Sequence, residues 1–440
     1  MHNWRKKFSN SSIFYITPDV KRGIGLERIL PSYHIICSFL DPIVPTLRKQ
    51  GANIFCLEEV GNHEFLRINN SGKLLEHPLV LRYIKKHAVN TPYIAYFKPS
   101  LKLDILIGKK GFIPAGNTSG MNEQFENKIN FISLVKKYFP QSAIPSVVGV
   151  LGSLSFKNLA KKLGIPFVIQ FGHGWAGKTT FFICNEKEFI DLAKKFRNTN
   201  VKVSRRINGF TVLNNCCIYR ESVYLSPPAI QISGIKELHH NPGITCGRQW
   251  PAKFIDYKQT KLINSISRML GKIMGECGFR GFFGLDFLVE QKSGRIYLSE
   301  VNARFTASTP FFTYLEQSID IVPLLAYHFG EFMHKVLPVQ YESPEGIVGS
   351  QIILRSACFE PLISSYPGFG VYKIIDSSPK LIKNDYHPGE LSDREYVFIG
   401  RLTRKYGTSN EEIARIEMRD EVLETPLKLK PWLKNLIVRV

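Results

Sequence analysis

A chain of 440 residues, 44% hydrophobic and 22% charged, has the make-up of a folded protein of two or three domains, which excludes a disordered or low-complexity polymer. No apolar run approaches the roughly 20 residues that cross a bilayer, and the basic start Met1-His2-Asn3-Trp4-Arg5-Lys6-Lys7 lacks the apolar stretch of a secretory leader, so a cytoplasmic protein without membrane contact is expected. The net charge of +21 favours polyanions in general, but the lysines fall in pairs such as Lys85-Lys86 and Lys194-Lys195, with no aromatic-interleaved motif, so nucleic acid is not an expected partner.

In chain order, Ser12 to Ile16, Tyr33 to Cys37, Ala52 to Leu57, Tyr93 to Phe97 and Leu103 to Ile107 are short runs of β-branched and aromatic residues, read as strands. Pro45 to Gln50 and Leu79 to His87 between them suit helices, which predicts a parallel α/β unit over 1–120. Gly111 to Gly120 is expected to be an exposed connection. From Glu123 to Tyr138, Phe125, Ile129, Ile132 and Val135 recur at helical spacing, and Pro140 ends that helix. Ser155 caps a short helix through Leu163. The strand Phe167 to Phe171 then leads through Gly172-His173-Gly174-Trp175-Ala176-Gly177 to Thr179 to Ile183. Asn185 and Glu188 form a capping box for a helix to Phe196. Strands follow at Val201 to Ser204 and Val223 to Leu225, and an amphipathic helix spans Gln259 to Glu276. Beyond residue 336, strands at Ile347 to Leu354 and Gly370 to Ile375, with a helix after an Asn410 cap, predict a C-terminal α+β region.

The eight cysteines include no Cys-x-x-Cys pair, and Cys216 and Cys217 point to opposite faces of any strand that holds them. They are read as reduced structural thiols.

Gly172 to Thr179 fits G-x-x-x-x-G-K-T letter for letter. A P-loop, however, leads straight into a helix whose first amides hold the phosphates, and Thr180-Phe181-Phe182-Ile183 favours a strand. A strand–loop–strand hairpin with a glycine-rich tip is the expected arrangement; such a tip can still wrap backbone amides around an anion.

A stronger chemical signal lies downstream. Gly281 to Val289 is an apolar strand interrupted by Asp286, an acid that is costly there without a partner. After a turn at Lys292-Ser293-Gly294, the strand Ile296 to Asn302 returns with Glu300 and Asn302 on one face, and the hairpin brings Asp286 to that face too. Two carboxylates and an amide oxygen are hard ligands suited to Mg²⁺ shared with nucleotide phosphates. Arg304, again on that side, could hold a carboxylate or phosphate.

Gly278-Phe279-Arg280-Gly281 through Asp286, followed by Glu300-Val301-Asn302-Ala303-Arg304, resembles the metal-binding hairpin of the ATP-grasp superfamily, to which biotin carboxylase and D-alanine–D-alanine ligase belong. The resemblance covers roughly Glu123 to Glu316. It implies an ATP-grasp fold of α/β and α+β elements: an N-terminal parallel α/β domain over 1–120, an ATP-grasp domain over 121–335 with a glycine-loop lid subdomain at about 145–205, and a C-terminal α+β region over 336–440. It implies ATP and Mg²⁺ (or Mn²⁺) as cofactors, with Asp286, Glu300 and Asn302 on the metal and Arg304 as the catalytic arginine at the acyl phosphate and its acceptor. Lys128 resembles the lysine that contacts nucleotide, and Gly172, Gly174 and Gly177 the loop over the phosphates. Gln170 stands where many members have a phosphate-binding lysine, a charge that Lys178 could supply instead. Ser204 stands where an adenosine-binding glutamate is common.

The reaction so implied is ADP-forming ligation of a carboxylate to an amine, on an amino-acid or peptide-like substrate. Arg248, between the nucleotide segments, is a candidate for the substrate carboxylate, with a surface charge as the alternative. Ligation to the thiol of an acidic carrier protein and a P-loop-type ATPase are the competing readings, and a homo-oligomer is compatible with all of them.

Overall fold

The apolar runs at the start of the chain become a parallel sheet. The computed structural model describes residues 4–60, 68–173, 179–339, 343–355, 368–375, 378–400 and 412–438. Strands β1 (Ile13–Ile16), β2 (Tyr33–Cys37), β3 (Asn53–Cys56), β4 (Tyr93–Tyr96) and β5 (Ile113–Pro114) lie in the order β3-β2-β1-β4-β5, every pair parallel. β1 and β2 are buried at every position, which is why they are apolar on both faces.

Leu103 to Ile107, expected as a strand, lies instead within the helix Leu101–Lys109. A five-residue apolar run does not distinguish the two states. What decides is the Ser100 cap, whose hydroxyl accepts the Leu103 amide at 3.3 Å, and the burial of Leu103 and Ile107 four residues apart on one face. The stretch Gly111 to Gly120 is not simply an exposed connection: it contains β5, buried Ala115 and the start of the helix Ser119–Glu126. The single helix expected from Glu123 to Tyr138 is broken at Asn127, which leaves helical geometry and accepts the amides of Ile129 and Asn130 at 3.0 and 3.4 Å. A second helix, Lys128–Tyr138, therefore begins with Lys128 in its first turn.

Four antiparallel strands form the next sheet: β6 (Ser146–Val150), β7 (Phe167–Phe171), β8 (Thr180–Ile183) and β9 (Asn200–Arg205), in the order β6-β9-β7-β8. The helices Phe156–Leu163 and Glu186–Lys195 cover one face, burying Leu159, Leu163 and Phe189 with Ile169, Val201 and Val203. Alternation puts Gln170, Lys202 and Ser204 on the other face, toward the helix Lys128–Tyr138.

The central sheet holds β10 (Gly209–Tyr219), β11 (Ser222–Leu225), β12 (Ala229–Ser233), β13 (Thr245–Trp250), β14 (Gly281–Glu290), β15 (Ile296–Asn302), β16 (Gly349–Arg355), β17 (Gly370–Ile375), β18 (Ser378–Lys383), β19 (Glu395–Gly400) and β20 (Glu412–Met418). Among the described residues their order is β15-β14-β10-β12-β13-β16-β20-β19-β17-β18, with β11 beside β10. The C-terminal strands thus continue the sheet through the pairing of β16 with β13. Cys216 and Cys217 do enter different cores on the two faces of β10, Cys216 with Ile263 and Leu270 of the helix Tyr257–Glu276, and Cys217 with Tyr219 and Tyr327. The cysteines among the described residues are free thiols.

The helix expected after Asn410 is not found in the described residues, which resume at 412 as β20. β20 runs between β16 and β19, so both neighbours take its backbone hydrogen bonds and its side chains are buried from Ile413 to Met418. The Glu412–Arg415 spacing that imitates a helical ion pair is satisfied within the strand at 2.7 Å. No helix among the described residues is long and apolar enough to cross a membrane.

Candidate functional site

The β14–β15 hairpin turns at Gly294, whose φ of +67° is a left-handed conformation that favours glycine. Its register sets Asp286 directly opposite Glu300 and Gly284 opposite Asn302, so the three polar residues share one face. Asn302 Nδ2 lies 3.4 Å from Asp286 Oδ1. Across the cleft, Lys128 Nζ donates to Glu300 Oε1 at 2.8 Å from the first turn of its helix. Arg304 Nη2 donates to Asn302 Oδ1 at 2.9 Å, and its Nε lies 2.8 Å from Glu126 Oε1. Lys128, Asp286, Glu300, Asn302 and Arg304, with Glu126 behind Arg304, thus form one connected set through these contacts and the Asp286–Glu300 register.

Its far wall is the carboxyl end of the parallel sheet. Phe97, just past β4, carries the Arg304 guanidinium 5.2 Å from its ring centroid and that of Arg22 at 4.8 Å. Loops at the carboxyl ends of parallel strands are the usual place for a ligand in such sheets.

Asp286 is held in an unfavourable state. Burial pushes its carboxyl up to about 7, and the facing charge of Glu300 adds to this, against the cations Lys128, Arg304 and Arg248. A hard divalent cation between two opposed carboxylates would relieve that repulsion, and Asn302 Oδ1 completes an all-oxygen donor set, so the residues fit magnesium. Among the described residues no group of three or more His, Cys, Asp or Glu side chains is arranged for a metal, so zinc-type ligation has no candidate there.

The other expected site residues fall into three groups. Gln170, on β7, is half-buried, and among the described residues its side chain makes only a long contact, 3.5 Å, to Thr180 Oγ1. Ser204, on β9, is buried opposite Val168 and Ser146. Gly172 is buried at the end of β7, where its carbonyl accepts the Lys128 amide at 3.0 Å; a Cβ there would lie 3.1 Å from the Asn127 side chain. Gly174, Gly177 and Lys178 lie outside the described residues. Gln170 pairs antiparallel with Thr180, so a strand stands after the glycine-rich stretch where the P-loop alternative needs a helix, and that alternative is overturned. Arg248 is no surface charge. It is 3% exposed on β13, donates to Gln351 Oε1 at 2.8 Å, and is pushed down to about 9 by burial and then by Arg415 and Arg22. Its Nε has no hydrogen-bond partner among the described residues.

Four residues of this region escape a sequence reading: Glu126, Arg22, Phe97 and Lys202. The first three meet the site only through contacts far apart in the chain. Lys202 carries a local signal, a cation between Val201 and Val203 in a strand, the same kind of misfit that marks Asp286.

The hairpin, the four-stranded antiparallel sheet and the flanking parallel sheet together make this chain an ATP-grasp fold. Three solved structures show the likeness. The N5-carboxyaminoimidazole synthetase of Staphylococcus aureus complexed with ADP is 14% identical, with 93% of each chain covered and a TM-score of 0.57. The carboxyaminoimidazole ribonucleotide synthase of Aspergillus clavatus complexed with ATP is 10% identical over 98% of this chain and 99% of that one, TM-score 0.59. The biotin carboxylase domain dimer of Hydrogenobacter thermophilus 2-oxoglutarate carboxylase, in complex with MgADP, ADP and bicarbonate, is 14% identical over 93% and 86%, TM-score 0.59. No protein-family model and no curated protein matches the sequence.

Proposed function

We propose that this chain is an ATP- and magnesium-dependent ligase that activates a carboxylate as an acyl phosphate and joins it to an amine with release of ADP. The observation that carries the reading is the connected set of Lys128, Asp286, Glu300, Asn302 and Arg304 at the carboxyl end of the parallel sheet. The fold likeness to proteins whose structures hold ATP, ADP or MgADP supports it.

Asp286, Glu300 and Asn302 would hold the metal, which neutralises charge on the phosphates when bound. Lys128 would turn its ammonium from Glu300 to a phosphate oxygen. The γ-phosphoryl group passes to a carboxylate oxygen; the amine lone pair then attacks the acyl carbon and inorganic phosphate leaves. Arg304, fixed by Glu126 and Asn302, is set to steady the acyl phosphate. Arg248, whose Nε has no partner among the described residues in a buried, cation-rich setting, is the residue for the carboxylate of the substrate. None of these steps needs a nucleophile on the protein, because positioning and charge do the work.

The test is ADP release across pools of carboxylic acids and amines, with D286N, E300Q and N302A as controls. Acid- and amine-dependent ADP release, lost in all three variants, is expected. AMP release instead of ADP, or near-normal turnover in the variants, overturns the proposal.

A further inference from the structure

Lys202 occupies the middle of β9 with 2% of its surface exposed. Val201 and Val203, its neighbours in sequence, point into the apolar core behind the sheet, so the Lys202 side chain points the other way, to the face that carries Gln170 and Ser204. Gln170 is its direct cross-strand partner. Two more lysines border this face: Lys128, spent on Glu300 at 2.8 Å, and Lys136, whose ammonium donates to the Ser146 carbonyl at 3.0 Å. Of the three ammonium groups, that of Lys202 alone has no hydrogen bond or ion pair among the described residues.

A buried ammonium without a counter-ion is costly. The setting registers that cost: burial, followed by the charges of Lys128 and Lys136 against the single opposing charge of Glu300, lowers the Lys202 ammonium to about 8. Three cations face one anion on this wall of the cleft, so the missing partner is an anion. It must reach a position bordered by Lys128, Gln170 and Gly172, whose carbonyl is fixed to the Lys128 amide. A nucleoside di- or triphosphate meets both requirements.

We infer that Lys202 is the lysine that holds the nucleotide phosphates on the β7–β9 side of the cleft, in place of the neutral Gln170 opposite it, an assignment that rests on the ATP reading above. The charge sits one strand across from Gln170, on the same face of the sheet. Lys178 need not supply it.

Calorimetric titration of the full chain with MgADP and, separately, with adenosine tests this. In K202M, MgADP should bind about 10- to 100-fold more weakly, the loss expected for one hydrogen bond to a charged group, while adenosine binding stays as in the parent. The unliganded variant should melt no lower than the parent, since an uncompensated buried charge has been removed. The double variant Q170K/K202M, which moves the ammonium to the facing position, should recover MgADP affinity. If K202M does not fold, K202Q gives the same comparison. MgADP affinity in K202M within about twofold of the parent, or equal losses for MgADP and adenosine, overturns the assignment. Failure of the parent itself to bind MgADP would instead overturn the ATP reading.

Discussion

The ammonium of Lys128 lies 2.8 Å from the Glu300 carboxylate, tying the first turn of a helix to the second strand of a hairpin 172 residues away. A cation at that end of a helix works against the helix dipole, so its placement there needs a reason other than helix stability. Glu300 supplies a resting partner, and an incoming phosphate would supply a working one. K128M is expected to keep the fold and to weaken MgADP binding by about 10- to 100-fold. Calorimetry for binding, with circular dichroism for the fold, checks both halves; unchanged affinity would remove Lys128 from the nucleotide site.

Asp286 and Glu300 face each other across neighbouring strands, and their mutual repulsion is a strain that a metal would relieve. D286N should therefore melt no lower than the parent without ligand, yet lose the stabilisation that magnesium with ADP confers. E300Q should need about tenfold more magnesium for the same ADP affinity. Thermal melts across a magnesium series separate the two effects. A D286N variant with the parent's full magnesium response contradicts the metal assignment.

Arg304 is held by Glu126, Asn302, the Phe305 carbonyl and the Phe97 ring. A lysine at that position keeps the charge but loses the planar fork that engages carboxylate and amide together. R304K is expected to lower kcat by about 100-fold while MgADP affinity stays within about twofold, the signature of a group used in the transition state rather than in nucleotide binding. A rise in KM with kcat preserved would move Arg304 to ground-state substrate binding.

His328 joins the parallel sheet to the central one. Its Nδ1 accepts the Phe282 amide at 3.0 Å, so Nε2 carries the hydrogen that faces the Ala115 carbonyl, also at 3.0 Å. The ring is neutral in this arrangement, and burial lowers it from 6.5 to about 4. The unfolded chain takes up a proton here between those values and the folded chain does not. The contribution is complete above pH 6.5 and is lost as pH falls toward 4, about 3 kcal/mol in all. Urea midpoints at pH 7 and pH 4.5 should fall further in the parent than in H328Q, where this proton is missing; equal falls would refute the linkage.

Much of the site is legible in the sequence because it is local. Period-2 alternation and the Gly294 turn suffice to bring Asp286, Glu300 and Asn302 to one face. The partners of that face are not local: Glu126 reaches Arg304, and Arg22 reaches Phe97, through packing of separate layers that no spacing rule encodes. The same limit explains the misread elements. Leu103 to Ile107 and Glu412 to Met418 carry short patterns that suit either helix or strand, and the neighbours decided: a capping serine in one case, two flanking strands in the other. Lys202 escaped for a subtler reason. Its meaning depends on the register that sets it across from Gln170, and a register belongs to the fold.

The pairing of β13 with β16 has a bearing on how this protein can be divided. Because the last hundred residues add strands to the sheet that carries the hairpin, a fragment ending before Gly349 would uncover a raw hydrogen-bonding edge along β13, the strand that bears Arg248 itself. The protein therefore resists dissection at that seam. Domain shuffling, truncation and fusion are best directed elsewhere along the chain, because Arg248 and the C-terminal strands belong to one continuous sheet.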